Sequence, residues 1–322
     1  MMNLKHSVPI QRFLKLFLFF LVSFCVVYDS QAGQDLPEFC KDYLQNGELA
    51  GVPSVAHDRI PYGTGLLWKI TASDGRESHV FGTMHSQDRQ VTGLPPPVRL
   101  ALAQSRRLVM EIIPDEHANQ VFSEAIYYMD GTHLDALLDP DIYHTLVQKL
   151  PPYGIAEEQA PQLKPWAAFT LIGRPRPVRA QTQDEALLQV AAGKPVAGLE
   201  TMEELVSILD GISRADQITI LNDTVCNHAL IIRNTRELVQ LYVARDLAGM
   251  VRFNEQPHHD EAVFNRFMQR IVYDRNQRML ERMEQYLREG GAFISVGALH
   301  LPGDKGILQM LEKKGYEITL AY

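Results

Sequence analysis

The sequence runs to 322 residues with 31 basic and 39 acidic side chains, a formal net charge of -8. An acidic surface of that kind excludes a nucleic-acid partner, because phosphate binding needs clustered Lys and Arg. No Gly-x-Ser-x-Gly, P-loop, His-Glu-x-x-His or Cys-x-x-Cys pattern occurs, so serine hydrolase, nucleotide hydrolase and zincin chemistry lose their simplest support.

In chain order, the first feature is a leader. Lys5, Arg12 and Lys15 flank an apolar run from Leu16 to Tyr28, and Ser30-Gln31-Ala32 follows in the small-x-small manner of a signal-peptidase site. Residues 1–32 therefore read as a removable signal peptide, and the protein as exported, either periplasmic or secreted. The run is shorter than the roughly 20 residues of a membrane-spanning helix; left uncut, the segment would associate the chain with a membrane. Cys25 follows Phe24, where a lipoprotein signal places a small residue. Cleavage removes three basic residues and one acid, moving the net charge from -8 to -10, and leaves about 290 residues, one large domain or two small ones. After export, Cys40 and Cys226 meet an oxidising compartment as one disulfide or as two separate thiols.

Residues 33–64 are a lead-in without a clear period. Gly65 to Thr71, the turn Ser73-Asp74-Gly75 and Ser78 to Thr83 spell a β-hairpin ending at His85. Pro95-Pro96-Pro97 opens a short helix with Leu100, Ala101 and Ala103 on its apolar side. Arg107 to Ile113 is an apolar strand interrupted by Glu111. Between 116 and 180 Pro140, Pro151, Pro152, Pro161 and Pro165 break a helical pattern into short helices, and Gly173 to Arg179 alternates Arg with Pro in an expected mobile loop. A helix over 184–192 and a strand over 195–199, ending at Glu200, come next. Long helical stretches at 214–248 and 261–289 follow, the second with a buried stripe of Phe264, Met268, Ile271, Val272, Met279, Met283 and Leu287. The chain closes with a strand over 292–296, Gly297-Ala298-Leu299-His300, a helix over 305–314 capped by Gly315, and a strand over 316–320. This alternation predicts an α/β fold with a mixed, partly parallel sheet. The halves read as pseudo-symmetric, each an apolar strand, Gly-x-x-His, a loop and a helix, in a domain of 65–322 with a large helical insertion over about 116–290.

Ligands of open α/β sheets collect at the carboxyl ends of strands, and His85, Glu111, Glu200 and His300 all fall there. Two imidazoles with one or two carboxylates make the usual ligand set of a divalent transition metal of the Mn, Co or Zn class that keeps a position for water. Burying Glu111 demands a partner, either an Arg or a metal. Glu200 fits catalysis, or N-capping or first-turn stabilisation of the helix after it. Arg275 and Asn276 interrupt the apolar stripe, so at least one faces inward; an inward Arg275 pairs with Glu111 or a substrate carboxylate, an outward one snorkels at the border. His258-His259 beside Pro257 and Asp260 read as a solvated turn with the option of binding a metal, and the Arg174, Arg176, Arg179 cluster as a solvated turn with the option of an acidic partner.

The pieces Leu67-Trp68-Lys69-Ile70, Val80-Phe81-Gly82-Thr83-Met84-His85, Val109-Met110-Glu111-Ile112, Lys164-Pro165-Trp166, Gly198-Leu199-Glu200-Thr201, Arg275-Asn276 with Met279, and Val296-Gly297-Ala298-Leu299-His300-Leu301-Pro302-Gly303 occur in one order over 65–322. In this the sequence resembles the TraB/GumN family, which includes the TIKI metalloproteases and is distantly related to erythromycin esterase and ChaN-like haem-binding groups. The resemblance implies paired Gly-x-x-His motifs near a Glu and an Arg, and for the TIKI branch a metal-dependent peptidase. Carried over by position, His85, His300 and Glu111 are the metal ligands, with Glu111, Arg275 and Glu200 as catalytic residues. The expected function is a metal-dependent hydrolase of peptide bonds, with a peptide or small-molecule substrate; the alternative is a non-catalytic binder of a peptide or haem in the same cleft. Two positions depart from the family pattern: Thr182-Gln183 precede Asp184 where a Gly is frequent, and Leu299 replaces a small residue, which would narrow the site. Export is checked by the intact mass of a C-terminally tagged chain, which is expected to lose residues 1–32; an uncut product refutes the leader.

Overall fold

A computed structural model describes residues 38–43, 60–178, 180–255 and 258–322. The leader and most of the lead-in lie outside the described residues, within which no helix is long and apolar enough to cross a membrane. A single six-stranded sheet organises the chain: β1 (Leu67–Thr71), β2 (Glu77–Thr83), β3 (Arg107–Met110), β4 (Val196–Gly198), β5 (Ala292–Gly297) and β6 (Glu317–Leu320), in the order β4-β3-β5-β2-β1-β6. The hairpin pairs β1 with β2 antiparallel, and β6 adds antiparallel to β1. The other neighbours, β2 with β5, β5 with β3 and β3 with β4, are parallel. The sheet is thus mixed and the fold α/β. Four parallel strands end on one edge, and each of the four strand-end candidates follows one of them. The two motif strands, β2 and β5, are neighbours in register, Gly82 opposite Val296 and Thr83 opposite Gly297. That adjacency gives the internal echo a spatial meaning.

Around the sheet lie the helices α1 (Arg89–Thr92), α2 (Pro96–Gln104), α3 (Glu116–Ala125), α4 (Pro140–Lys149), α5 (Pro165–Ile172), α6 (Gln183–Val190), α7 (Met202–Asp210), α8 (Arg214–Cys226), α9 (His228–Val243), α10 (Leu247–Asn254), α11 (Glu261–Met268), α12 (Asp274–Glu289) and α13 (Ile307–Lys313). Prolines in the helical region start elements more often than they break them: Pro140 and Pro165 stand at first helical positions, where the missing N–H costs nothing. Two apolar cores result. One joins the sheet to α6, α9, α10, α12 and α13. The other, centred on Trp166 and Phe169, gathers α3, α4, α5, α7, α8 and α11. Within 116–290, therefore, β4 and several helices return to the sheet.

Three details of the sequence reading change. In α2 the buried side is Val98, Ala101 and Leu102, while Leu100 and Ala103 face solvent. The strand expected over 107–113 stops at Met110, which places Glu111 just beyond it. The long stripe shifts by one residue in its first turns, where Val263 and Phe267 are buried in place of Phe264 and Met268. A π-helical turn, Gln269–Tyr273, absorbs the shift. Its extra residue per turn lets one continuous helix serve both cores, Val263, Phe267 and Ile271 in the helical one and Met279, Leu280 and Met283 in the sheet core.

Cys40 and Cys226 form a disulfide that ties the 3-10 turn Glu38–Asp42 to the end of α8. Beside it Tyr43 stacks on His259, with ring centroids 4.0 Å apart, and receives a hydrogen bond from Asn222. His258, expected in a solvated turn, is instead buried and stacked on Phe264. One turn before Cys226, Asp223 is buried and accepts from Asn227 at 2.8 Å; burial outweighs that bond and pushes its carboxyl up to about 7. A folded pKa above the unfolded one gives stability that is full below about pH 4 and lost as pH rises through 7. Asp223→Asn is therefore expected to raise stability by roughly 2–4 kcal/mol at pH 8 and little at pH 4, read from urea midpoints. Equal shifts at the two pH values would contradict this.

Candidate functional site

Parallel register brings the strand ends together. Glu111 N–H donates to Ser295 O, and Glu200 N–H to Glu111 O, each at 2.8 Å, so the backbone ladder continues past β3 and sets both carboxylates beside the turn that follows β5. Neither motif glycine has a positive φ, Gly297 lying at -53°. Their role is close approach. A Cβ on Gly82 would meet Leu301 and Ala298 at 3.0 to 3.1 Å, and one on Gly297 would lie 3.3 Å from Glu111 Oε2, 3.3 Å from His300 Cδ2 and 3.8 Å from His85 Nε2. Gly297 thus marks the point around which both histidines and Glu111 gather.

A buried guanidinium holds the carboxylates. Arg275, 2 % exposed, donates from NH2 to Glu111 Oε1 at 2.5 Å and from Nε to Glu200 Oε2 at 2.8 Å. Arg278 reaches Glu200 Oε1 at 2.9 Å, and Gly297 N–H donates to Glu111 Oε2 at 2.7 Å. Both oxygens of Glu111 are engaged. Burial alone would raise its pKa, yet Arg275, then His300 and His85, and the Gly297 N–H reverse that and hold it well below the carboxylate range. Burial would also discharge Arg275, and the two carboxylates keep it charged. Glu200 is therefore neither an N-cap nor a partner of the histidines. Thr201 caps α7 with Glu204, and Glu200 is the second carboxylate on Arg275.

The histidines are fixed from behind. Asn276 donates from Nδ2 to Lys305 O at 2.9 Å, which leaves Oδ1 to accept from His300 Nδ1 at 2.6 Å. The proton on Nδ1 leaves a lone pair on Nε2, which is fully buried, finds no hydrogen-bond partner among the described residues, and lies 3.8 Å from Glu111 Oε1. Burial, with help from Arg275 and His85, pushes His300 down to about 3, so it stays neutral. His85 Nδ1 lies 2.8 Å from Asp184 Oδ2, and its Nε2 turns toward Gly297. Burial favours neutral His85, but the Asp184 carboxylate, reinforced by Glu111, outweighs it and raises the pKa.

Asp184 is the partner that the sequence reading missed. An acid in the first turn of α6, inside the capping box Thr182 and Glu185, reads as an ordinary helix start. Its neighbour Gln183 occupies the position of the frequent Gly and serves as a bracket: Oε1 accepts from Met84 N–H at 2.9 Å, and Nε2 donates to Val91 O at 2.8 Å. The hydroxyl of Tyr242 lies 2.8 Å from Gly82 O and 3.0 Å from Gln183 Oε1. Leu299 packs into the sheet core and does not line the cavity beside His85, so it does not narrow it. That cavity, about 480 Å³, is bordered by His85, Asp184, Pro114, Arg176, Arg236 and Val239. Of His85, His300, Glu111, Glu200 and Arg275, His85 alone borders it.

The donor set suits a transition metal: two imidazole Nε2 atoms with the opposite nitrogens held by a carboxylate and an amide, beside an ionised carboxylate. Among the described residues no three His, Cys, Asp or Glu side chains already stand as a ligand group. The fit rests on His85 and His300, with Glu111 between them and still held by Arg275.

Such a site at the carboxyl edge of a mixed sheet, fed by paired strand-end histidines, defines a class of α/β protein by its architecture. The chain belongs to the TraB/PrgY/gumN family, whose family model matches residues 66–320. Among curated proteins it is similar to metalloprotease TIKI1 of Xenopus tropicalis, 24 % identical over 79 % of this chain and 61 % of that protein. Metalloprotease TIKI2 of Danio rerio is 23 % identical over 75 % and 58 %, and TIKI1 of Homo sapiens 24 % over 80 % and 62 %. The chain thus spans about three-fifths of the length of these relatives. No solved structure matches it significantly.

Removing Arg275 leaves Glu111 buried without its cation, while Glu200 keeps Arg278, a change that costs about 3–5 kcal/mol in comparable sites. Arg275→Met is expected to lower stability by that amount, with much of it recovered in Arg275→Met/Glu111→Gln; urea unfolding of both variants checks this. A loss under about 1 kcal/mol would show that the pair is not the structural hub.

Proposed function

We propose that this protein is an exported metal-dependent hydrolase of peptide bonds. The observation that carries the reading is His300 Nε2, a lone pair buried without a partner, its tautomer set by Asn276, beside His85 Nε2 and the ionised Glu111. The TIKI relatives, named metalloproteases, support the same direction. His85 and His300 would hold a divalent ion of the Mn, Co or Zn class, with Glu111 as the carboxylate of the set. The ion would supply Lewis acidity that activates water and polarises a carbonyl.

The chain's own residues do the rest. Asp184 and Asn276 keep both Nδ1 protons in place, so each Nε2 offers its lone pair inward. Arg275 holds Glu111 in one orientation, and Glu200 and Arg278 hold Arg275, which makes Glu200 a positioning residue. Glu111, kept ionised far below neutral pH, is a weak proton acceptor, and this favours the ligand role over the general base. His85, the cluster member open to the cavity, meets the substrate, and the closed packing behind it excludes bulk water from His300. Export is inferred from the leader alone.

His85→Ala and His300→Ala are each expected to abolish metal uptake, measured by elemental analysis, and metal-stimulated cleavage of a peptide library, with the fold retained by circular dichroism. Asn276→Ala should weaken metal affinity by about 10–100-fold. Stoichiometric metal in both His variants would sink the reading. Metal binding without turnover would leave the cleft as a binding site for a peptide or haem.

A further inference from the structure

The loop that alternates Arg with Pro forms one wall of the cavity beside His85. Gln87, two residues after His85, accepts from Val178 N–H at 2.8 Å and donates to Ala180 O at 3.0 Å, so the strand-end loop and the Arg-Pro loop move as one piece. Pro175 and Pro177 restrict the arginines before them to extended backbone, which lowers the entropy lost when Arg176 engages a ligand. Arg174, expected in a solvated turn, is buried, its guanidinium 5.8 Å from the ring centroid of Tyr153, whose hydroxyl donates to Arg174 O at 2.6 Å. The loop is therefore anchored at its start and clamped at its end, with Arg176 between.

Across the cavity, α9 presents one face, Ile232, Thr235, Arg236, Val239 and Gln240. The carboxylates on the walls are already engaged: Asp184 with His85, Asp88 with Gln90 N–H and Glu185 with Thr182 N–H. Arg176 and Arg236 enter no ion pair among the described residues. The field at the Arg176 end is positive. After its partial burial, Lys149 and Arg176 are the causes that hold half-buried His228 down to about 4. A cavity whose Arg176 and Arg236 guanidinium groups enter no ion pair among the described residues, while Asp184 is turned to His85 and Asp88 and Glu185 are tied to helix starts, offers its free cationic contacts to a chain that carries a carboxylate.

We infer that this cavity is the peptide subsite and that Arg176 and Arg236 select substrates bearing a carboxylate close to the cleaved bond, either an acidic side chain or a free C-terminus. The cleaved bond rests on the hydrolase reading; the carboxylate preference is tested by binding alone. Three fluorescein-labelled peptides are titrated by anisotropy into the chelator-treated protein: an N-acetylated, amidated Ala-Ala-Phe-Gln-Gln-Leu-Ala-Ala, the same peptide with Glu-Glu at its centre, and the Gln peptide with a free C-terminal carboxylate. One of the two carboxylate peptides is expected to bind about tenfold more tightly than the neutral one, with a salt-sensitive difference, and which one does so identifies the source. Arg176→Ala/Arg236→Ala should bring all three to parity without changing the neutral peptide, and Arg176→Lys/Arg236→Lys should keep part of the preference. Absent or equal binding in the wild type, or a preference that survives the alanine pair, overturns the inference. A carboxylate preference without metal-stimulated cleavage would sink the hydrolase reading and leave the subsite standing.

Discussion

A guanidinium buried between two carboxylates sits where the two cores of the protein meet. Arg275 comes from the helix that joins them, Glu111 and Glu200 from the ends of neighbouring parallel strands. None of the three tolerates burial alone, since each ion taken from water costs several kcal/mol that its partners must return. Strand register, helix placement and the β5 turn, through Gly297 N–H on Glu111, are thereby held to one arrangement. The π-turn before Arg275 belongs to the same constraint. It carries the helix from one core to the other and turns both Arg275 and Asn276 inward.

The site follows from that hub in two layers. Behind lies a buried cluster in which Arg275, Glu111 and Glu200 satisfy one another and only the two imidazole Nε2 atoms lack a hydrogen-bond partner among the described residues. In front lies a cavity walled by the strand-end and Arg-Pro loops and by α6 and α9, reached from the cluster through His85. Rigid elements hold the chemistry, and a loop joins a helix in facing the ligand, so the scaffold can keep its reacting groups while the loop changes its substrate. The match to the TraB/PrgY/gumN family spans the cluster, the sheet and the Arg-Pro wall alike, and the role of that wall is argued from this chain's own residues.

Much of the scaffold was legible because its signals are local. The hairpin carried a turn at Asp74-Gly75, β5 was an apolar run interrupted only by Ser295, and Glu111 stood out as a charge that an apolar strand could not bury unaided. Legibility failed where identity and environment part. Asp184 looks like any acid in a first helical turn, Arg174 like any arginine in a polar loop, and His258 like half of a solvated pair. Nothing local records that the first holds a histidine and the other two are buried. Phe264 and Met268 misled for a related reason, since a single helical period was read across a π-turn.

The sequence by itself determined the elements and which four side chains would stand at strand ends, because apolar periodicity and glycine placement act over a few residues. Only the tertiary structure decided that β2 and β5 are neighbours, that Arg275 spans Glu111 and Glu200, and that Asp184 and Asn276 face the histidines. Those contacts join segments far apart in the chain, and their energies depend on burial, which exists only once the sheet and both cores have formed.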